Sequence, residues 1–298
     1  KTAYEIPKRD WSSDVCSSDL LSGGMRRPPS DAPGVPAPRK RFGQHFLTDP
    51  RILARIADAL GIRAGDAVVE IGPGRGALTG QLVDRVGPSG RLTAIEVDRD
   101  LAAHLRQAYA GRAECEIVER DVLDGGVAPS AGLPYLLAGN IPYNITTPII
   151  FQALKAPRAE RMVFLVQREV AERIAAPPGS EAYGALSANV QALATVEMLF
   201  RVAAGAFTPP PRVESAVIRL VPLATPVVTP AEEEPFRLLV QSLFSFRRKQ
   251  LARGVRDACA VSAEVAAQLI GRAGLTPTDR PEVLSPGDFA RLLRAWRA

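Results

Sequence analysis

The tetrapeptide Asn140-Ile141-Pro142-Tyr143 has the most definite chemical content in this sequence. An amide oxygen on Asn140 and the backbone carbonyl of Ile141 can accept the two hydrogens of an exocyclic amine. Pro142 fixes the backbone direction, and the ring of Tyr143 can stack on a base. The amine of a nucleobase delocalises its lone pair into the ring, so it attacks only when the nitrogen is held in a more tetrahedral form. No strong general base is then required. Orientation of the two reactants supplies much of the rate, about 7–11 kcal/mol for well-placed partners. A turn with a packed tyrosine is the plainer explanation of the same four residues.

A second group is the run Gly72-Pro73-Gly74-Arg75-Gly76-Ala77. The pattern Gly72-x-Gly74-x-x-Ala77 satisfies a dinucleotide fingerprint, and Glu96 at the end of the next strand can grip a ribose diol in a nicotinamide enzyme or a methyltransferase. Two details separate these. Glu70 stands two residues before the first glycine, and the spacing of Gly72, Gly74 and Gly76 is similar to the S-adenosylmethionine loop. Asp121, after a further strand, is placed to meet an adenine amino group. A tight strand-to-helix turn accounts for the glycines alone.

These residues need a scaffold, and the chain supplies one. Short β-branched runs at 67–71, 92–97, 115–119, 135–138 and 162–166 alternate with helical stretches, which predicts βαβ units and a mostly parallel sheet. Leu78, Leu82 and Val86 mark a helix directly after the glycine loop. Residues 215–221 read as one more strand. Asn140 therefore follows the fourth strand, at the carboxyl edge where α/β sheets bind ligands.

Beyond this, residues 222–231 carry three prolines and read as a linker. Thr229 is expected to cap a helix with Pro230 in its first position and Glu232, Glu233 and Glu234 in its first turn. Phe236, Leu239, Val240, Leu243 and Phe244 then form one apolar stripe. Ser285-Pro286 opens another helix, followed by Phe289, Leu292, Leu293 and Trp296. Residues 232–298 are thus a small all-helical domain, and 40–221 the catalytic domain.

The 298 residues predict about two domains, and 46% hydrophobic with 23% charged residues is ordinary globular composition. No apolar run reaches the roughly 18 residues of a membrane helix. Cys16, Cys115 and Cys259 are far apart, and only His45 and His104 could join them as ligands, so neither a zinc site nor a disulfide framework is expected and a reducing cytoplasm fits. Residues 1–24 contain the near-repeat Ser12-Ser13-Asp14-Val15 and Ser17-Ser18-Asp19-Leu20, with no signal-peptide anatomy, and are expected to be foreign to the native protein, which then starts at Met25. They hold three positive and four negative charges against +5 for the whole, leaving +6 from Met25 onward. Residues 25–39 read as a proline-rich basic tail.

Five ordered motifs together identify a resemblance: Arg41-Phe42-Gly43-Gln44-His45-Phe46-Leu47, Glu70-Ile71-Gly72-Pro73-Gly74, Ile95-Glu96-Val97-Asp98, Gly139-Asn140-Ile141-Pro142-Tyr143-Asn144, and the run from Phe207-Thr208-Pro209 to Ser215. From about Arg39 to the C-terminus the chain resembles the KsgA-type small-subunit ribosomal RNA adenine N6-dimethyltransferases. That resemblance implies an α/β, Rossmann-like fold with a seven-stranded sheet and a small helical C-terminal domain. It implies S-adenosylmethionine contacts from His45, Leu47, Gly72, Glu96, Asp121 and Asn140, with His45 acting through its backbone. It further implies that Phe207 helps Tyr143 hold a flipped adenine. The substrate it implies is a pair of adjacent adenosines in the 3′-terminal hairpin loop of 16S rRNA, modified on the 30S subunit by a monomer. Macrolide-resistance methylases of 23S rRNA are the nearest alternative. The segment from Gln167 to Ser187 resembles the small-subunit enzymes more. A catalysis-independent assembly factor is the other alternative.

Lys249, Arg253 and Arg256 are spaced i, i+4 and i+7 on a helix expected to open with Arg247-Arg248. An ordinary solvated face explains that stripe equally well. Together with Arg39-Lys40-Arg41 and the net charge, it points to RNA phosphates.

Overall fold

The computed structural model describes Pro36, Arg39 and residues 44–129 and 134–298. The expected foreign segment, most of the basic tail, Lys40, and the Arg41-Phe42-Gly43 part of the first motif lie outside the described residues.

Seven strands form one sheet: β2 (Ala67–Ile71), β3 (Arg91–Glu96), β4 (Cys115–Glu119), β5 (Leu136–Asn140), β6 (Arg161–Gln167), β7 (Ala194–Val202) and β9 (Ser215–Pro222). Their order is β4-β3-β2-β5-β6-β9-β7. The first five are parallel, while β9 runs antiparallel to both β6 and β7. A two-stranded ribbon pairs β1 (Phe46–Leu47) with β8 (Phe207–Thr208). All six expected strands are present, with ends shifted by at most two residues. The seventh, β7, is the outermost strand and carries an irregularity between Met198 and Phe200.

The sheet is buried on both faces, so its central strands are apolar throughout rather than alternating. The period of two still sorts their side chains. Val68, Val163 and Leu165 face a cluster built with α1 (Pro50–Leu60) and α2 (Ala77–Val86), through Leu53, Ile56, Leu78 and Leu82. Val69, Met162, Phe164 and Val166 face the other way, toward α5 (Thr146–Ala153), α6 (Arg168–Ala175) and α7 (Ala185–Gln191). The remaining helices of this half are α3 (Arg99–Ala108), capped by Asp98, and the single turn α4 (Val122–Gly125), capped by Asp121.

Four helices follow: α8 (Glu233–Ser245), α9 (Leu251–Cys259), α10 (Ala263–Arg272) and α11 (Pro286–Arg297). Their apolar stripes, including Phe236, Leu243, Val255, Phe289 and Leu293, belong to the same cluster as Phe164 and Val69. The Tyr183 hydroxyl donates to the Leu284 carbonyl at 2.9 Å, joining the two parts of the chain. Ser285 caps α11 as expected, in a reciprocal capping box with Asp288.

Two helix starts differ from expectation. α8 begins at Glu233 rather than Pro230; Thr229 and Glu232 close a turn ahead of it, in which the Glu232 carboxylate takes the Thr229 N–H and hydroxyl, half of a capping box, and two bonds from Arg294. That arginine holds the Glu232 carboxyl down at about 2. The second difference concerns the basic stripe. Arg247, Arg248 and Lys249 lie in a turn, closed by bonds from Arg247 and Lys249 N–H to Phe244 and Phe246 carbonyls, and α9 starts only at Leu251. The turn lets Leu251 and Val255 join Leu243 in the core, with Gly254 facing Leu243. A continuous helix would have left one of these faces in water.

Candidate active site

Parallel strands β4, β3 and β2 run outward one way and β5 and β6 the other, so the topological switch point lies between β2 and β5. The carboxyl ends of β2, β3, β4 and β5 converge there on a cavity of about 480 Å³. That size lies within the range of small-molecule and cofactor sites. His45, Leu47, Gly72, Glu96, Asp121, Asn140, Ile141, Pro142 and Tyr143 all line it.

The glycine loop forms one wall. Gly72 and Gly74 have φ of 65° and 58°, in the region that disfavours side chains. A Cβ on Gly74 would stand 2.9 Å from the Phe46 ring, so this glycine lets the loop pass close under β1. The Glu96 carboxylate accepts from the Gly74 N–H at 3.0 Å and from the Asp98 N–H at 2.9 Å. A carboxylate offers about four lone-pair sites, so two remain for a diol. Burial pushes the Glu96 carboxyl above the usual range, and those two N–H groups pull it partly back. Arg39 pairs with Asp98 at 3.0 Å and with Asp100, fixing the segment just beyond.

Glu70 is fully buried behind the loop and takes one bond from the Thr79 hydroxyl at 2.7 Å. Desolvation pushes its carboxyl up to about 8. Asp121 caps α4 with one oxygen, through Leu123 N–H at 2.8 Å, leaving the other available. Arg120 braces the far end of that turn by donating to the Gly125 and Gly126 carbonyls. These donors and acceptors fit S-adenosylmethionine: an acceptor pair for the ribose at Glu96 and an acceptor for an adenine amine at Asp121.

The opposite wall is the end of β5. Asn140 Nδ2 donates to the His45 carbonyl at 2.9 Å. That bond fixes which end of the amide is which, so Oδ1 is the acceptor presented at the site. The Ile141 N–H donates to the Leu165 carbonyl, fixing the Asn140–Ile141 peptide plane just before the Ile141 carbonyl. Thr146 Oγ1 closes the following turn by donating to the Pro142 carbonyl at 3.1 Å. The His45 ring stacks on Tyr143 with centroids 5.7 Å apart, and its Nδ1 lies 2.9 Å from the Pro209 carbonyl.

Phe207 is the exception among the expected catalytic residues. Its backbone pairs with Leu47, and its side chain is 3% exposed within the α1–α2 cluster, away from the cavity wall. The strand pairing that aligns Leu47 with the cavity turns the Phe207 ring inward. The RNA set lies elsewhere, on α9 and the turn before it. Arg247 is paired with Glu282, and Arg253 and Arg256 both lean on Asp257, while Arg248 and Lys249 are exposed. Sequence reading placed Pro209 and Ser215 inside the Phe207–Ser215 motif without giving either a role, and it missed Arg120, which no local pattern marks. Among the described residues, no group of three or more His, Cys, Asp and Glu is disposed to hold a metal ion, and no helix is long and apolar enough to cross a membrane.

The profile described as Ribosomal RNA adenine dimethylase matches residues 37–293. A Ribosomal RNA small subunit methyltransferase A of Bordetella pertussis is 43% identical over 261 residues, 87% of this chain and 94% of its own. A protein of the same description from Acidithiobacillus ferrooxidans is 41% identical over 265 residues, 88% of this chain and 96% of its own. Among solved structures, the 23S rRNA methyltransferase ErmE is 28% identical with a TM-score of 0.65, covering 85% of this chain and 100% of its own. A dimethyladenosine transferase from Plasmodium falciparum is 26% identical with a TM-score of 0.69, covering 83% and 96%.

Proposed function

This chain belongs to the ribosomal RNA adenine dimethylase family and is an S-adenosylmethionine-dependent small-subunit rRNA adenine dimethyltransferase; from that premise we propose that it acts, as a monomer, on two adjacent adenosines in the 3′-terminal hairpin loop of 16S rRNA within the 30S subunit. S-adenosylmethionine supplies an electrophilic methyl group on sulfonium sulfur. The chain's own residues do the rest.

The observation that carries this reading is the tethered Asn140 amide. Its Nδ2 bond to the His45 carbonyl leaves Oδ1 as an acceptor beside the Ile141 carbonyl. Two acceptors suit an amine bearing two hydrogens, and Tyr143 supplies a face for the base. A folded rRNA must give up that base from its stack, at a cost of a few kcal/mol. The helical region 232–298 contributes cations for the flanking phosphates: Arg247, Arg248, Lys249, Arg253 and Arg256. Phe207 supports the ribbon that shapes the wall.

The decisive experiment transfers label from S-adenosylmethionine to unmethylated 30S and 50S particles and maps the modified nucleotides. Dimethyladenosine confined to the 3′ hairpin of 16S rRNA is the expected result. Label in 23S rRNA would make the chain a resistance-type methylase, and intact 30S binding without transfer would make it an assembly factor. Asn140→Ala should abolish transfer and leave RNA binding within a few-fold; wild-type turnover by that variant removes the amine clamp.

A further inference from the structure

We infer that Ser215 is a positioning residue for base methylation, acting through a hydrogen bond to the Tyr143 hydroxyl that fixes the long axis of the stacking ring, whose plane the His45 stack then sets. This rests on the proposed reading of Tyr143 as the face on which the base stacks. The two oxygens are 2.5 Å apart across 72 residues of sequence. Ser215 is fully buried at the start of β9, in register with Gln167 of β6 and Val202 of β7.

Each hydroxyl answers a need of the other. A buried serine without a partner is costly, and so is a phenol half-covered by its surroundings. Stacking itself requires only a π face, which phenylalanine would provide. The phenol oxygen therefore adds direction rather than stacking. Tyr143 opens the short 3₁₀ turn Tyr143–Ile145, whereas Ser215 belongs to the sheet. The bond thus ties the ring to the most constrained element nearby.

A second restraint acts on the same ring. The His45 imidazole stacks against it, with an interplanar angle of 26°, and is itself held at the Pro209 carbonyl. Pro209 and Ser215 both lie on the run that leaves β8 and enters β9. Ring face and phenol oxygen are therefore referred to one segment. If the axis of the Tyr143 ring swings, a stacked base moves with it, and its amine leaves the acceptors at Asn140 and Ile141. Binding then survives while the population aligned for attack falls, which lowers kcat rather than raising KM.

The test uses full-length enzyme and unmethylated 30S particles. Ser215→Ala and Tyr143→Phe remove the same bond from opposite ends. Each should slow single-turnover methyl transfer about tenfold, with the cofactor Kd and the KM for 30S within about twofold of wild type. The double variant should be no slower than either single one. Additive losses, or losses that appear in KM, would show two independent packing defects and overturn the tether. Tyr143→Ala separates the tether from the reading beneath it. If it is slow while both single variants turn over at the wild-type rate, only the tether fails. If Tyr143→Ala itself turns over at the wild-type rate, the stacking face fails and the tether with it.

Discussion

The two walls of the cavity are held by different means. On the cofactor side the partners are close in sequence or on adjacent strands: Gly74 with Glu96, Glu96 with Asp98, Asp121 with Leu123. On the base side they are remote. Asn140 reaches His45 over 95 residues, His45 reaches Pro209 over 164, and Tyr143 reaches Ser215 over 72. The first wall is set mainly by strand order and local turns, with Arg39 on Asp98 across 59 residues and the β1 ring of Phe46 over Gly74 as its longer-range contacts. The second requires the β1–β8 ribbon and the antiparallel strands to be in place. Cofactor binding and base placement should accordingly fail separately.

The largest separation is expected from Gly74→Val. At φ 58°, with the Phe46 ring 2.9 Å from the new Cβ, strain and overlap together should weaken cofactor binding about 100-fold or more. Calorimetry with S-adenosylmethionine measures this, and affinity within a few-fold of wild type would mean the loop does not need its close approach. Ribosome binding should persist. Glu96→Ala comes next. Losing a charged acceptor of two hydroxyls should cost about 1.5–3 kcal/mol of cofactor affinity, and an unchanged Kd would take the ribose role away from Glu96.

A smaller effect follows from Glu70. Its folded carboxyl is raised to about 8 by burial, so below that pH it holds a proton. A cationic ligand favours the ionised form, so binding releases that proton and affinity should rise as pH climbs toward about 8. Calorimetry in buffers of different ionisation enthalpy reads the released proton, and a Glu70→Gln variant with the same pH slope would exclude this carboxyl. The sign is opposite for folding. The unfolded carboxyl ionises near 4.5 while the buried one does not, so Glu70 costs stability increasingly from there to about 8.

The smallest effect lies outside both walls. Reversing Lys249, Arg253 and Arg256 together should weaken 30S binding and flatten its dependence on salt, leaving the cofactor Kd unchanged. Binding titrations at several salt concentrations measure it, and an identical slope returns these residues to plain solvation. Arg253 and Arg256 already share Asp257, which tempers the expected change.

The same division explains what was legible in the sequence. The glycine loop and Asp121 follow their strands, and Glu96 and Asn140 end theirs, so strand periodicity located them at the carboxyl edge. Ser215 and Pro209 lie in a quoted motif, but their partners are chosen by tertiary register and could not be read from it. β7 escaped notice because its irregularity between Met198 and Phe200 breaks the alternation that announces a strand. The run Arg247-Arg248-Lys249 reads as helix on propensity, yet burial of Leu251 and Val255 against Leu243 wins. Thr229 keeps its bonds to the Glu232 carboxylate, which Arg294, 62 residues further on, shares, while the helix itself begins at Glu233. Phe207 was expected at the base and is instead committed to the core.

The irregular outer strand has a bearing on how this protein behaves in a crowded solution. An unpaired sheet edge offers backbone groups to any neighbouring chain, and long flat edges seed aggregates. Here β7 presents exposed Thr195, Glu197 and Arg201, ties Glu197 to Arg219, and bends at its bulge. The opposite border, β4, is lined by Glu116 and Glu119, which face Arg91 and Arg106. Both margins thus carry charge, and one is also bent, so the sheet is a poor template for intermolecular β-pairing while its catalytic edge stays open to RNA.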